Sequence, residues 1–310
     1  MRNPLVSILI NNYNYGRFLP EAIESAISQS YGNIEVIVVD DGSTDNSRDI
    51  ISNYGKTITP ILKANEGQAS ALNAGYETSR GDIICFLDSD DVFTLNKVER
   101  IVGLFEGDSS IGWCFHDLRY IDGGGKALVK DVQYENCEVV SIDLSLAIVR
   151  GRTRFPYEAP ATSGLCFRRG ICSKIFPIPV SIFPPDNFMK FAALYLSSGL
   201  HIFEGLSSQR IHENNLYTFR QNAYAVQIEA SVKIAFYLRE RFPETAHFTD
   251  KMFTWSLGRA IGARRFWKIL GLPELRKYLS RYMSFMKLGR YGHRIAFNII
   301  RQLIRHGNEG

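Results

Sequence analysis

No stretch of this sequence approaches about 18 consecutive apolar residues, so nothing in it reads as a membrane-spanning helix. Cysteine is sparse and lacks a pairing pattern. The five residues Cys85, Cys114, Cys137, Cys166 and Cys172 are odd in number, and no two are spaced as CxxC. A disulfide frame or a zinc site is therefore not expected, and the usage suits a reducing, cytosolic setting. Met1 to Pro4 runs straight into a strand pattern, so a secretory leader is not expected either. Internal repeats, low-complexity tracts and a recognised nucleic-acid motif are all missing. A glycine-rich phosphate loop after the first strand is missing too, because that turn reads Asn12-Tyr13-Asn14-Tyr15-Gly16-Arg17.

What remains is ordinary globular material: 310 residues, 45% hydrophobic and 22% charged, enough for one large domain with an appendage. The net charge of +4 is unevenly spread. From Arg259 to His306 twelve Lys and Arg stand against one acid, Glu274, which gives that stretch +11 and the rest of the chain −7. A mildly acidic body carries a strongly basic tail.

The first hundred residues alternate strand and helix signals. Leu5 to Ile10 predicts a strand, Phe18 to Gln29 a helix with Phe18, Ala22, Ile23, Ala26 and Ile27 on one face, and Ile34 to Val39 a central β-branched strand. Ser47 to Tyr54, Thr57 to Leu62, Gly67 to Thr78 and Asp82 to Leu87 continue as helix, strand, helix, strand. This order predicts an α/β fold: a doubly wound, mostly parallel sheet with helices on both faces, whose ligands sit outside the carboxyl ends of the strands. Asn11 to Asn14, Asp40-Asp41 and Asp88 to Asp91 all fall at such ends. Beyond Asp91 come a helix over Leu95 to Phe105, a strand over Ile111 to His116, a glycine turn at 122–125 and short strands at Gly164 to Arg168, Leu200 to Phe203 and Ser208 to Ile211. A helix starts at Asp186 after the proline-rich stretch 177–185, and everything from Tyr217 onward reads as helical. The expected division is 1–215, split near 105 into a nucleotide-binding and an acceptor-binding half, followed by a basic helical extension over 216–310.

The densest chemical signal is Asp88-Ser89-Asp90-Asp91 at the end of a buried strand. Carboxylates so crowded repel unless a positive charge sits among them, and Mg²⁺ or Mn²⁺ is the simplest such partner. The same acids would also serve as a polar turn that caps the next helix.

Taken together the motifs resemble glycosyltransferase family 2, enzymes of the GT-A fold. The residues that carry the resemblance are Val6 to Asn14, Ala22 to Tyr31, Val38 to Asp45, Asn65-Glu66-Gly67, Ala71 to Gly75 and Phe86 to Asp91, in that order. The resemblance spans roughly residues 4–215. It implies an inverting, metal-dependent hexosyltransferase-type enzyme working in cell-surface polysaccharide synthesis. Its donor is a nucleoside-diphosphate sugar, by family frequency a UDP-sugar, and its acceptor a glycan or a lipid-linked sugar.

The resemblance assigns Asp88 to the donor ribose and the metal, Asp90 to the metal, and Asp91 as a weaker candidate for either. Asn11, Tyr13 and Asp41 match base contacts, while Asn65 and Gly67 match a close backbone approach to the donor. Gln68 is a lesser candidate there. Asp186 matches the general base that takes the acceptor's proton, although Pro185 stands where the family usually has Glu. His212, within Arg210 to Asn215, matches a late histidine that joins the metal or touches the diphosphate. Ser163 and Gly164 match an acceptor-side loop. The processive members carry Gln-x-x-Arg-Trp, which this sequence lacks, so single-sugar transfer is implied.

In the tail, Phe285, Leu288, Ile295, Ile299 and Leu303 alternate with Arg290, Arg294, Arg301 and Arg305. Such a surface suits an anionic membrane face, or equally a helical cap whose cations are solvated. The first option would make a cytoplasmic protein peripheral to the inner face of the cell membrane. Two other functions stay open on the sequence: a sugar-nucleotide pyrophosphorylase, and a nucleotide-sugar or glycan binding protein without turnover.

Overall fold

The protein is described by a computed structural model covering residues 3–128, 138–152, 156–157, 159–213, 215, 223–262, 269–283, 289 and 291–292. Cys137 and the tail residues 285, 288, 290, 294, 295, 299, 301, 303 and 305 lie outside them, so the tail's proposed apolar and basic stripes are not addressed by the fold.

The expected alternation is present. Strand β1 (Val6–Asn12) is followed by α1 (Leu19–Ile27), β2 (Ile34–Asp41), α2 (Ser47–Asn53), β3 (Thr59–Lys63), α3 (Gln68–Thr78), β4 (Ile83–Asp88), β5 (Val92–Phe93) and α4 (Lys97–Gly107). Strands β3, β2, β1 and β4 lie side by side and parallel. β1 is buried along nearly its whole length on both faces, which is why it reads as a mostly apolar run, broken by Ser7, rather than an alternating one. On one face Val6, Ile8 and Ile10 pack with Leu19, Ala22, Ile23 and Ala26 of α1 and with Val98 and Ile101 of α4. On the other, α3 approaches so closely that a Cβ on Gly75 would meet Val39 at 3.3 Å and Leu9 at 3.6 Å. These two contacts put helices on both sides of the sheet.

The second half of the sheet departs from the parallel scheme. It is built from β6 (Trp113–Asp122), β7 (Val139–Ile142), β8 (Leu165–Arg168) and β9 (Gly199–Ile211). The strand order runs β3-β2-β1-β4-β8-β6-β9-β5, with β7 also on β9. β8 is antiparallel to both β4 and β6, while β6 and β9 are parallel, with a bulge between His116 and Leu118. The two short strands expected near residues 200 and 210 are one 13-residue strand. β9 runs on through residues 204–207, its early part pairing with β6 and β7 and its later part with β6 and β5.

The chain divides into two units. Unit 1 comprises Met1–Leu144, Tyr157–Val180 and Met189–Asn215, and it holds the sheet. Unit 2 comprises Ser145–Pro156, Ser181–Phe188 and Leu216–Gly310. Residue 215 is one of the boundaries, and unit 2 also draws on two earlier segments. It contains α5 (Ser145–Val149), α8 (Ala223–Arg241), α9 (Ala246–Gly262) and α10 (Pro273–Tyr282), whereas α6 (Arg169–Ile175) belongs to unit 1 and α7 (Asp186–Leu196) starts in the unit 2 segment Ser181–Phe188 and runs on in unit 1. Ile228, Val232, Phe253, Leu275 and Tyr278 form unit 2's own core. The rings of Phe253 and Tyr278 stack at 4.1 Å, and the Tyr278 hydroxyl donates to Asp250.

Candidate active site

The parallel register aligns the strand ends that carry the motifs. Asn11 is the direct strand partner of Asp88, Asn12 that of Asp40, and Asp41 that of Lys63. Residues 11, 41 and 88 therefore share one rim although they are widely separated in sequence. Tyr13, just beyond β1, is 39% exposed.

Strand β4 ends in the acid turn, and the acids in it have different jobs. Asp91 is buried. Its carboxylate accepts from the Ser163 hydroxyl at 2.6 Å and from the Arg210 backbone N–H at 2.9 Å. Burial, with Asp90 and Asp88 close by, pushes its carboxyl well above the usual range. Asp91 is thus a structural acid of the turn, and its weak assignment to metal or ribose gives way to that role.

Asp90 points the other way. Its Oδ2 lies 3.1 Å from His212 Nε2 and 3.3 Å from Asn215 Nδ2. Asn215 also fixes the histidine's backbone, because its Oδ1 accepts from His212 N–H at 2.6 Å. The His212 ring packs edge-on to Tyr15 at 5.5 Å and against Phe18 at 4.7 Å. Asp88 accepts from the Gln68 side chain at 3.0 Å, which makes Gln68 a closer neighbour of the acids than its sequence rank suggested.

Arg210 closes the turn from behind. Its guanidinium is buried, donates to the Asp90 carbonyl at 2.9 Å, pairs with Glu21 and lies 5.0 Å over the Phe18 ring. A cation here relieves part of the repulsion among the three acids. It belongs to the motif Arg210 to Asn215, in which only His212 carries a role in the resemblance.

Two expected contacts have other partners. Asp41 was matched to the nucleotide base. Its carboxylate instead takes a 2.8 Å bond from Lys63 Nζ and the backbone N–H groups of Glu66 and Gly67, at 3.1 Å and 2.7 Å. Those three donors occupy most of the acceptor capacity of one carboxylate. Asp41 therefore shapes the loop of Asn65 and Gly67, and Lys63 is a partner that the sequence reading missed. The loop also needs Gly42: its φ is +78°, and a Cβ there would stand 2.5 Å from the Asn65 backbone nitrogen. Gly67, at φ +92°, opens α3 in a conformation that side chains rarely adopt.

Ser163 and Gly164 were matched to an acceptor loop, yet both are buried. Ser163 braces the acid turn, and the space a Cβ would need on Gly164 is taken by Pro160 at 2.5 Å. Asp40 is fully buried and bonded within the protein. It accepts from Asn12, the Ser43 N–H and Arg48, and these bonds outweigh its burial and lower its pKa.

Asp186 opens α7 and is buried within the unit 2 segment Ser181–Phe188.

For a divalent ion the donor chemistry fits, since Asp88 and Asp90 offer hard oxygens and His212 an imidazole. Asn11 Oδ1 and Ser89 Oγ beside them are buried with no hydrogen bond among the described residues, as polar atoms are at a site shaped for a ligand. As they stand, no three His, Cys, Asp or Glu among the described residues are grouped closely enough to hold an ion. Asp90 and His212 would have to exchange their mutual bond for one.

Residues 7–159 match the model of glycosyl transferase family 2. An uncharacterized glycosyltransferase of Nostoc sp. is 37% identical over 228 residues, covering 72% of this chain and 69% of that protein. The chain belongs to glycosyltransferase family 2. Membership makes it a glycosyltransferase, and the pyrophosphorylase reading falls away. Glycosyltransferase GlyG of Streptococcus pneumoniae is 38% identical over 101 residues, 31% of this chain and 34% of its own length. An uncharacterized Rickettsia prowazekii glycosyltransferase is 41% identical, but the match covers only 37% of each protein. Among solved structures, TarS of S. aureus with UDP-GlcNAc aligns with a TM-score of 0.60 at 17% identity, over 96% of this chain and 88% of that one. A mannosyltransferase of Pyrobaculum calidifontis with GDP-Man and Mn²⁺ aligns at 0.55 and 15%, over 98% and 87%. These likenesses establish the GT-A type of fold for this family 2 member. Among its described residues no helix is long and apolar enough to cross a membrane.

Proposed function

We propose that this glycosyltransferase is inverting and metal-dependent, and that it moves one sugar from a nucleoside-diphosphate sugar to a hydroxyl of a glycan or lipid-linked acceptor. The reading rests on one observation above the others. Asp90 at the end of β4 and His212 at the end of β9 are 122 residues apart in sequence and meet at 3.1 Å. Acids and an imidazole gathered at the rim of a parallel sheet suit a diphosphate leaving group.

In this reading Asp88, Asp90 and His212 hold Mn²⁺ or Mg²⁺, with Asp88 also facing the donor ribose. The ion supplies positive charge to the phosphate oxygens as the glycosidic bond breaks. Tyr13 stacks on the base, Asn11 contacts it, and Asp41 contributes by setting the loop of Asn65 and Gly67. Asp186 takes the proton of the acceptor hydroxyl while that oxygen bonds to the anomeric carbon and the diphosphate departs from the opposite face. The complexes of the two structural neighbours, with UDP-GlcNAc and with GDP-Man and Mn²⁺, are in keeping with a nucleotide-sugar donor.

A thermal-shift comparison of UDP, GDP and dTDP with Mn²⁺ or with chelator tests this. We expect stabilisation by UDP that grows with its concentration above Kd, by about 2.7 kcal/mol at a hundredfold excess, and that falls when metal is chelated. Identical shifts with and without metal for every nucleotide would remove the metal from the mechanism.

For the basic tail we propose contact with anionic lipid. The full chain should pellet with phosphatidylglycerol vesicles at low salt and be released as NaCl approaches roughly 0.5 M, where surface charges are screened within a few ångströms. Equal pelleting on purely zwitterionic vesicles would rule the electrostatic contact out.

A further inference from the structure

Lys97, the first residue of α4, is fully buried. Its three ammonium protons have three partners, and none is a carboxylate. Nζ donates to the Ser163 carbonyl at 2.8 Å and to Ser207 Oγ at 3.1 Å, and it sits 3.4 Å from the centroid of the Phe93 ring. Ser207 in turn donates to the same Ser163 carbonyl at 2.9 Å. Burying a cation without an anionic partner is costly, and an apolar side chain of similar volume would fill the space more cheaply. A purely structural role does not call for a lysine here.

The bonds on the other end of Ser163 indicate what the lysine does. The Ser163 hydroxyl donates to Asp91 Oδ2 at 2.6 Å and accepts the Asp88 backbone N–H at 3.1 Å. One serine therefore spans the acid turn from its first residue to its last. Its carbonyl is held by Lys97 and Ser207, and its hydroxyl holds both ends of the turn. A positive charge in this dry interior also acts on the neighbouring acids far more strongly than a surface lysine could.

We propose that Lys97 is a positioning residue for the cation-binding turn: through Ser163 it fixes the spacing of Asp88 and Asp91 and so the aim of Asp90. The inference rests on the metal reading given above. It adds a buried Lys97–Ser207–Ser163 relay that touches neither donor nor ion.

The test is Mn²⁺ titration of UDP binding by calorimetry on the full chain, with Lys97→Met beside wild type. Loss of an outer support of a metal site typically costs roughly 10–100-fold in metal affinity or activity. We expect the half-saturating Mn²⁺ concentration to rise in that range. Ile101→Ala, a core change on the same helix, serves as control: it should lower Tm and leave the Mn²⁺ dependence where it was. Ser207→Ala should shift the dependence in the same direction by less, and it carries the test if Lys97→Met does not fold. An unchanged Mn²⁺ dependence in folded Lys97→Met, or in Ser207→Ala where Lys97→Met fails to fold, overturns the relay. Should wild type bind UDP with no dependence on Mn²⁺, the metal reading itself fails, which this design separates from failure of the relay.

Discussion

Asp90→Ala is expected to remove the Mn²⁺-dependent part of UDP binding and to lower kcat by roughly a thousandfold. The size follows from the role: an ion that stabilises the departing diphosphate contributes several kcal/mol, and each 1.36 kcal/mol is about a factor of ten in rate. The same variant should fold normally. The turn is held by Asp91, Ser163 and the guanidinium of Arg210, which bonds to the Asp90 main-chain carbonyl rather than to its side chain. Truncation leaves that carbonyl in place and removes the side-chain contacts to His212 Nε2 and Asn215 Nδ2, and Asn215 Nδ2 keeps its bond to the Arg210 carbonyl at 3.0 Å. Steady-state rates over a Mn²⁺ series, with calorimetry for UDP, measure both quantities. Full Mn²⁺-dependent binding in Asp90→Ala would show that the ion is held elsewhere.

Asp186→Asn should act on the other half of the reaction. A positioned general base contributes roughly 10²–10⁴ in rate, so kcat should fall by that factor. UDP affinity and its Mn²⁺ dependence should stay at wild-type values, because asparagine keeps the shape and loses only the proton-accepting charge. The contrast with Asp90→Ala is the informative part: one variant loses metal-linked binding, the other only turnover. Near-full activity in Asp186→Asn would move the base to another residue, a result that Pro185 in place of the usual Glu makes worth checking.

The parallel half of the fold was legible because each of its elements is signalled locally. β1, β2 and β4 are apolar runs buried on both faces, and α1 shows its buried stripe in the spacing of Leu19, Ala22, Ile23 and Ala26. The rim was legible for the same reason, since strand ends in a parallel sheet align whenever the strands do. The antiparallel half was less so. The length of β9 depends on β5, β6 and β7 as partners, and pairing between distant segments leaves no periodic mark in one strand.

Within the site, residue types named the acids but could not sort them. Asp90 and Asp91 are adjacent and chemically alike, and only the positions of Ser163 and Arg210 turn one inward and the other toward His212. Lys63 and Lys97 gave no signal because a lone lysine in a strand or at a helix start is ordinary. The match of Asp41 to a base contact comes from the family resemblance, which carries no information on which donors reach its carboxylate. The lysine that occupies it comes from the neighbouring strand β3, 22 residues on.

The crowding at Gly42 bears on how this enzyme should be mutated. Position 42 follows a strand-end acid and borders the loop of Asn65 and Gly67, so a randomised library would score it as intolerant and invite the conclusion that it touches substrate. Its intolerance comes instead from main-chain geometry, because any larger residue displaces Asn65 and with it the amides that grip Asp41. Inactive variants at that site would report a misshapen loop, and should be kept apart from those that map where the nucleotide lies.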